Sequence, residues 1–240
     1  MRSLGAQRSK IIAISLLALF AALIFSPAGF AGTQVGTVSQ LNGPLFAKKA
    51  DATIMVLSVN SAVEDGDILV TEKKTYARIR FSDDSELILR PNSQLRISQY
   101  HFDQASPRDD KAFFNLAKGG LRAVTGKIGS RSSRDSYKMM TETAVAGIRG
   151  TTYELRICEG NCGAIPDGLY LYVMDGIVSL TNNAGSRDIG AGQYAYVANA
   201  DTLPAPLAVN PGIDFTLPDA LSRPSEGWVV GPASAECLVR

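Results

Sequence analysis

The sequence predicts an all-β protein of short strands in stacked, solenoid-like or sandwich-like repeats. An N-terminal signal helix precedes it and an extended Pro-rich C-terminal tail follows. Three observations carry this. Tyr76 to Ser82 alternates strictly, with Ala77, Ile79 and Phe81 on one face and Arg78 and Arg80 on the other, the period of a half-buried strand. Strand and four-residue turn then alternate as far as Ser98. Glycine is plentiful, at 22 of 240 residues, and Val, Ile, Thr and Tyr recur in short runs.

The ends frame three segments: a signal peptide over 1–31, an all-β domain over 32–200 and a Pro-rich tail over 201–240. Arg2, Arg8 and Lys10 precede an apolar run from Ile11 to Phe25, and small residues lead to a cleavage position after Ala31. That is the order of a secretory signal. The run is short for a membrane span, so the membrane is met only through an uncleaved signal. The expected location is periplasmic or otherwise exported. Formal net charge is +1 for the whole chain. Without the three basic residues of the signal it is −2, from 21 Lys+Arg against 23 Asp+Glu, and no nucleic-acid partner is expected.

Val35 to Leu41 reads as a first strand, stopped by Asn42-Gly43-Pro44, and Leu45 to Lys48 as a second. Ser61 to Gly66 reads as a polar connection, and Ile68 to Thr71 as a compact apolar strand. Glu86 to Arg90 and Leu95 to Ser98 follow as strands, with His101 to Lys111 a loop. Leu121 to Thr125 is a strand, and Lys127 to Asp135 a basic, solvated loop with a weaker reading as a contact for an anionic glycan or lipid head group. Leu169 to Val173 and Ile177 to Leu180 read as two strands joined by an Asp175-Gly176 turn, and Tyr194 to Ala198 closes the β region. The tail is expected to drape over the domain through Phe215, Leu217, Leu221 and Trp228.

Met139 to Arg156 is the stretch around which the chain is organised. Gly147 and Gly150 bracket Ile148-Arg149, which reads as a bulge or corner between strands. A sharper reading holds Arg149 inward against backbone carbonyls or an acid such as Asp84, at a cost of about 2–4 kcal/mol on Arg149→Ala. Cys158 and Cys162 flank Glu159-Gly160-Asn161, a turn composition, and a local disulfide is the leading reading. A metal site is the alternative, and beyond Cys237 and His101 the chain offers it few ligands. Thr71…Ala77-Arg78-Ile79-Arg80 and Thr141…Ala146-Gly147-Ile148-Arg149 form a weak internal repeat.

In order, the chain carries Gly66-Asp67-Ile68-Leu69-Val70-Thr71, Asp84-Ser85-Glu86-Leu87, Pro91-Asn92-Ser93-Gln94-Leu95 and Leu116-Ala117-Lys118-Gly119. Thr143 to Ile148 then leads into Arg149-Gly150-Thr151, followed by Asp175-Gly176-Ile177-Val178 and Gly192-Gln193. This succession resembles the FecR-type periplasmic domain over residues 35 to about 198. Ser85 stands where the family's turn usually has Gly. The resemblance implies an all-β domain with Gly66, Asp67, Thr71, Asp84, Arg149, Gly150 and Thr151 as structural motif residues. Its best-known members relay a signal from an outer-membrane siderophore receptor to a cytoplasmic sigma-factor regulator. They use a cytoplasmic helical segment and a C-terminal receptor-contacting domain that this sequence is expected to lack.

The functional expectation is an exported, non-enzymatic protein-binding or scaffolding module of the bacterial cell envelope, with an envelope protein or a glycan as partner. The alternative is a periplasmic component of a transmembrane signalling pathway. No catalytic, cofactor or metal residues are expected. Asp83, Asp84 and Glu86 could in principle supply paired carboxylates for a hydrolase acting on wall polymer, but they sit on a polar turn where acids are usually solvated.

Overall fold

The computed structural model describes residues 32–133 and 135–222. The signal segment, Trp228, Cys237 and the tail beyond residue 222 lie outside the described residues. Sixteen strands form one sheet. They are β1 (Gln34–Asn42), β2 (Leu45–Lys48), β3 (Ile54–Leu57), β4 (Ala62–Glu64), β5 (Ile68–Thr71), β6 (Tyr76–Phe81), β7 (Glu86–Leu89) and β8 (Gln94–His101), then β9 (Lys111–Lys118), β10 (Gly120–Val124), β11 (Tyr137–Met140), β12 (Val145–Cys158), β13 (Gly168–Asn182), β14 (Gly185–Gly190), β15 (Tyr194–Val197) and β16 (Ala205–Leu207). The described residues also include two short α-helices, α1 (Lys127–Arg131) and α2 (Asp219–Ser222), and a 3-10 turn at Pro107–Asp109.

The main path runs β3-β2-β5-β8-β9-β11-β12-β10-β7-β6-β1-β4. β4 ends this path, yet only Asp65 to Asp67 separate it from β5 near the other end. The sheet must therefore curl back toward itself, and its inner face becomes the core. One cross-strand row shows how: Ala77, Leu89, Leu121, Leu155, Leu171 and Ala195 lie in register on six adjacent strands. All are fully buried. Branched and small apolar side chains at period two place one continuous apolar layer inside.

β12 is the branching strand. Its first part pairs with β11, its second with β10, and β13 runs along its other side. The changeover is a bulge. Between Arg149↔Ile177 and Thr152↔Asp175, β12 has Gly150 and Thr151 where β13 has Gly176 alone. Gly176 has φ +81°, and a Cβ there would lie 2.5 Å from the Gly150 carbonyl oxygen, so close approach and backbone conformation both require glycine. Asp175-Gly176 is thus not a chain reversal. β13 passes straight through it as a single strand of 15 residues, which corrects the expected two strands.

Other differences are local. β3, β4 and β14 fall where no strand is expected, and β16 falls in the expected tail and pairs with β15. The basic segment after Gly126 is helical rather than a solvated loop, because Ile128 is fully buried and anchors it. Of its cations, Lys127 pairs with Asp84 at 2.8 Å and Arg131 with Asp110 at 3.1 Å, and Arg134 lies outside the described residues.

The described part of the tail, residues 201–222, lies along the outer face of the sheet as a strap. Beneath it Gln40, Arg78, Ile88, Arg122, Glu154, Tyr172, Tyr194 and Leu207 form a second cross-strand row. Gln40 Nε2 donates to the Ala220 carbonyl, Arg78 Nη2 to that of Leu221 and Arg90 Nη2 to that of Asp214. Phe215 packs on Tyr172 and Tyr194, and Ile213 and Leu221 are buried. These contacts satisfy strap carbonyls that have no sheet partner.

Burial pushes the phenols of Tyr100, Tyr137 and Tyr153 far above their usual range. In the unfolded chain the same groups ionise near pH ~10. The unfolded state then loses protons before the folded one does. Stability from these groups is complete below about pH 10 and falls as pH rises beyond it. We expect alkaline unfolding coincident with a step of tyrosinate absorbance. A gradual absorbance rise with the fold intact would contradict this.

Candidate functional site

The motif residues do not converge on one cleft. Each closes its own turn. Gly66 takes φ +87° and donates its N–H to the Ile97 carbonyl at 3.0 Å. Asp67, buried, accepts from Lys49 Nζ at 3.0 Å and from the Glu64 N–H at 2.9 Å. Thr71 Oγ1 donates to the Arg90 carbonyl at 2.6 Å and accepts from the Ser93 N–H at 2.9 Å. Thr151 Oγ1 reaches the carbonyls of Arg149 and Ile177, and its N–H donates to Thr125 Oγ1 at 2.7 Å. Gly150, at φ +57°, completes the bulge.

Arg149 departs from the inward reading. It is exposed, and no hydrogen bond or ion pair reaches its guanidinium among the described residues. The bulge turns its side chain outward, where it lines a groove of about 880 Å³ with Lys138, Ile148, Ile177 and Asp188. Asp84 is likewise not its partner. That carboxylate lies at the surface between Lys127 and Arg80 (2.8 and 3.2 Å), and the hydrogen bond from Lys127 chiefly holds its pKa down.

Sequence reasoning placed Asp83 on a solvated turn and missed its buried role. Its carboxylate is fully buried. Oδ1 accepts from the Ser85 N–H at 3.1 Å, from Ser85 Oγ at 2.5 Å and from Tyr100 OH at 2.8 Å, while Oδ2 accepts from the Ile128 N–H at 3.1 Å. One carboxylate thus joins the β6–β7 turn to β8 and to the start of α1. Asp84 has φ +66°, so it fills the left-handed slot that the family gives to Gly. The motif register is therefore Asp83-Asp84-Ser85, one residue earlier than the expected Asp84-Ser85, and Ser85 occupies its ordinary place. Glu86 faces Arg78 at 3.7 Å. The three carboxylates thus have separate partners instead of sharing a cleft.

Cys158 and Cys162 form the expected local disulfide, with Cα atoms 5.5 Å apart. Among the described residues no cluster of His, Cys, Asp and Glu is placed to hold a metal ion.

The sheet edges are among the surfaces open to a partner, and they differ sharply. β16 contains Pro206, β14 exposes Arg187 and Asp188, and β4 is three residues long and ends in Glu64. These are devices that discourage strand pairing. β3 is also short, at four residues, but carries no Pro and no charged residue. It pairs with β2 alone and exposes Ile54 (68%), Met55 (48%) and Val56 (72%) in succession. Its outer row of backbone N–H and C=O groups has no sheet partner among the described residues.

Residues 67–179 match the family model described as FecR protein. This chain carries a FecR domain. Two solved structures of "a putative anti-sigma factor from Parabacteroides distasonis ATCC 8503" are similar at 11% and 10% identity, with TM-scores of 0.45 and 0.43. Each similarity covers 58% of this chain and 58% of the other. A structure described as "Cell surface anchoring domain" is similar over 28% of this chain and 88% of its own, at 18% identity and a TM-score of 0.27. No curated protein matches. The matched FecR region begins at Asp67 and ends in β13, so it holds every motif residue above except Gly66 and leaves β3 and the strap outside.

We expect Asp83→Ala to destabilise the FecR domain by about 3 kcal/mol, because it strands buried donors. Arg149→Ala, at an exposed position, should change stability by less than about 0.5 kcal/mol. Urea unfolding of both variants tests the contrast. A large loss with Arg149→Ala would restore the inward reading.

Proposed function

We propose that this FecR-domain protein is an exported, non-enzymatic protein-binding module of the bacterial cell envelope that takes part in regulating a signalling pathway. The observation that carries the binding reading is the unprotected β3 edge. A partner's extended segment can add there as a further strand. Main-chain hydrogen bonds would supply affinity, and the side chains of Ile54, Met55 and Val56 would supply contact on both faces. The fitting partner segment is extended, apolar and uncharged at its centre. The FecR domain supports the signalling assignment, and the Cys158–Cys162 disulfide supports an oxidising compartment such as the periplasm. A scaffolding role would use the same edge and differ only in the identity of what it holds.

Val56→Lys places a charge on the edge where a second strand would lie. It should weaken partner capture in the envelope at least about tenfold while stability changes by less than about 0.5 kcal/mol. In-cell crosslinking from position 56 provides the readout. A membrane-spanning regulator or receptor as the recurrent product favours signalling, and wall or surface-assembly proteins favour the scaffold. Unchanged capture by the Val56→Lys chain would remove the edge from the reading.

A further inference from the structure

Two arginines meet on the outer face at the end of β7 and on β12. Their stems cross the same glycine: a Cβ on Gly120 would lie 3.2 Å from Arg90 Cδ and 3.2 Å from Arg156 Cδ. Arg90 is buried. Its Nη2 donates to the Asp214 carbonyl at 2.9 Å, while its Nη1 lies 3.7 Å from Glu154 Oε2 and makes no hydrogen bond. Half-buried Arg156 makes no hydrogen bond or ion pair among the described residues. Its pKa is pushed down, first by burial and then by the like charge of Arg90, against weaker attraction from Tyr76 and Asp214.

The nearby acids attract these guanidiniums but hold their hydrogen bonds with other donors. Glu154 Oε1 accepts from Arg122 Nε at 2.5 Å. The Asp214 carboxylate accepts from the Thr216 N–H at 2.8 Å and from Thr216 Oγ1 at 2.6 Å. Three guanidiniums therefore face two carboxylates. The unmatched positive charge borders a cavity of about 330 Å³, walled by Tyr76, Asn92 and Asn161 and closed by the strap at Gly212 to Asp214. The disulfide loop holds Asn161 at this rim.

We infer that this cavity binds a small molecule carrying one carboxylate or phosphate group, held by Arg90 and Arg156. A planar guanidinium takes either oxyanion through paired hydrogen bonds. The Asn92 and Asn161 amides and the Tyr76 hydroxyl add polar groups for the rest of the ligand. The volume suits a single charged sugar ring better than a polymer. This site is separate from the β3 edge and does not depend on it.

The test titrates the full chain at low ionic strength with glucuronate, glucose 1-phosphate and neutral glucose, read by calorimetry. At least one charged sugar is expected to bind with Kd below about 1 mM, with glucose silent. Preference for glucuronate assigns a carboxylate ligand, and preference for glucose 1-phosphate a phosphate. Arg156→Gln should weaken that binding at least about tenfold. In the absence of ligand it should melt at or above the wild-type temperature, because it relieves like-charge repulsion. A merely structural Arg156 would lower the melting temperature instead. The proposal is overturned by glucose binding as tightly, by no charged sugar binding at about 10 mM, by Arg156→Gln binding unchanged, or by that variant melting several degrees lower.

Discussion

The fold depends on the bulge at which β12 changes partners. A flat strand paired with β13 would keep one neighbour on its other side for its whole length. Gly150-Thr151 opposite Gly176 bends β12, so that it leaves β11 and takes up β10. That exchange lets the chain from β10 back to β1 and the chain from β11 back to β2 belong to one curled sheet. Thr151 fixes the geometry by bonding across the bulge and to Thr125. The inner row of apolar side chains stays continuous because the bulge lies beyond the register that runs through Leu121 and Leu155.

The strand alternation was legible because it is a period-two pattern on half-buried strands. Tyr76 to Phe81 appears at its expected place for that reason, and Ile68 to Thr71 appears where its compact apolar run placed it. Three kinds of feature were not legible. Asp175-Gly176 carries the composition of a turn, yet its glycine is required by the Gly150 carbonyl from another strand, which no local window contains. Asp83 and Asp84 are adjacent acids of the same type, and only the handedness of the turn decides which is buried. Arg149 lies in a motif, which suggested an inward role, but a bulge redirects a side chain without any change in residue type. The disulfide was readable because three residues of turn composition, Glu159 to Asn161, bring the two cysteines within bonding distance without help from the fold.

The outer face was the least legible part. Arg78, Arg122 and Glu154 sit at the positions that alternation assigns to solvent, and on an uncovered sheet they would be there. The strap changes their status from outside the local sequence. Carbonyls of residues more than a hundred positions away accept from Arg78 and Arg90, while Phe215 covers the tyrosines. A buried ionic row of this kind contributes little net stability, since desolvation offsets much of the Coulomb attraction. Its effect is to select one seat for the strap, because only carbonyls at the right spacing satisfy those guanidiniums.

The family motif is consumed in making turns, and this bears on where function resides. Asp67, Thr71 and Thr151 are engaged by backbone groups of the chain itself, so they hold the FecR architecture without facing a partner. What distinguishes this chain must then lie on surfaces the motif does not use. β3 and the strap lie outside the matched region, and one is an edge without protection while the other closes a cavity beside an unpaired arginine. Both features cost stability if left without use. An apolar edge invites aggregation, and neighbouring guanidiniums repel each other in a partly dry site. The two costs are independent, arise on different parts of the sheet, and would each be offset by a bound partner of matching chemistry: a strand for the edge and an oxyanion for the cavity.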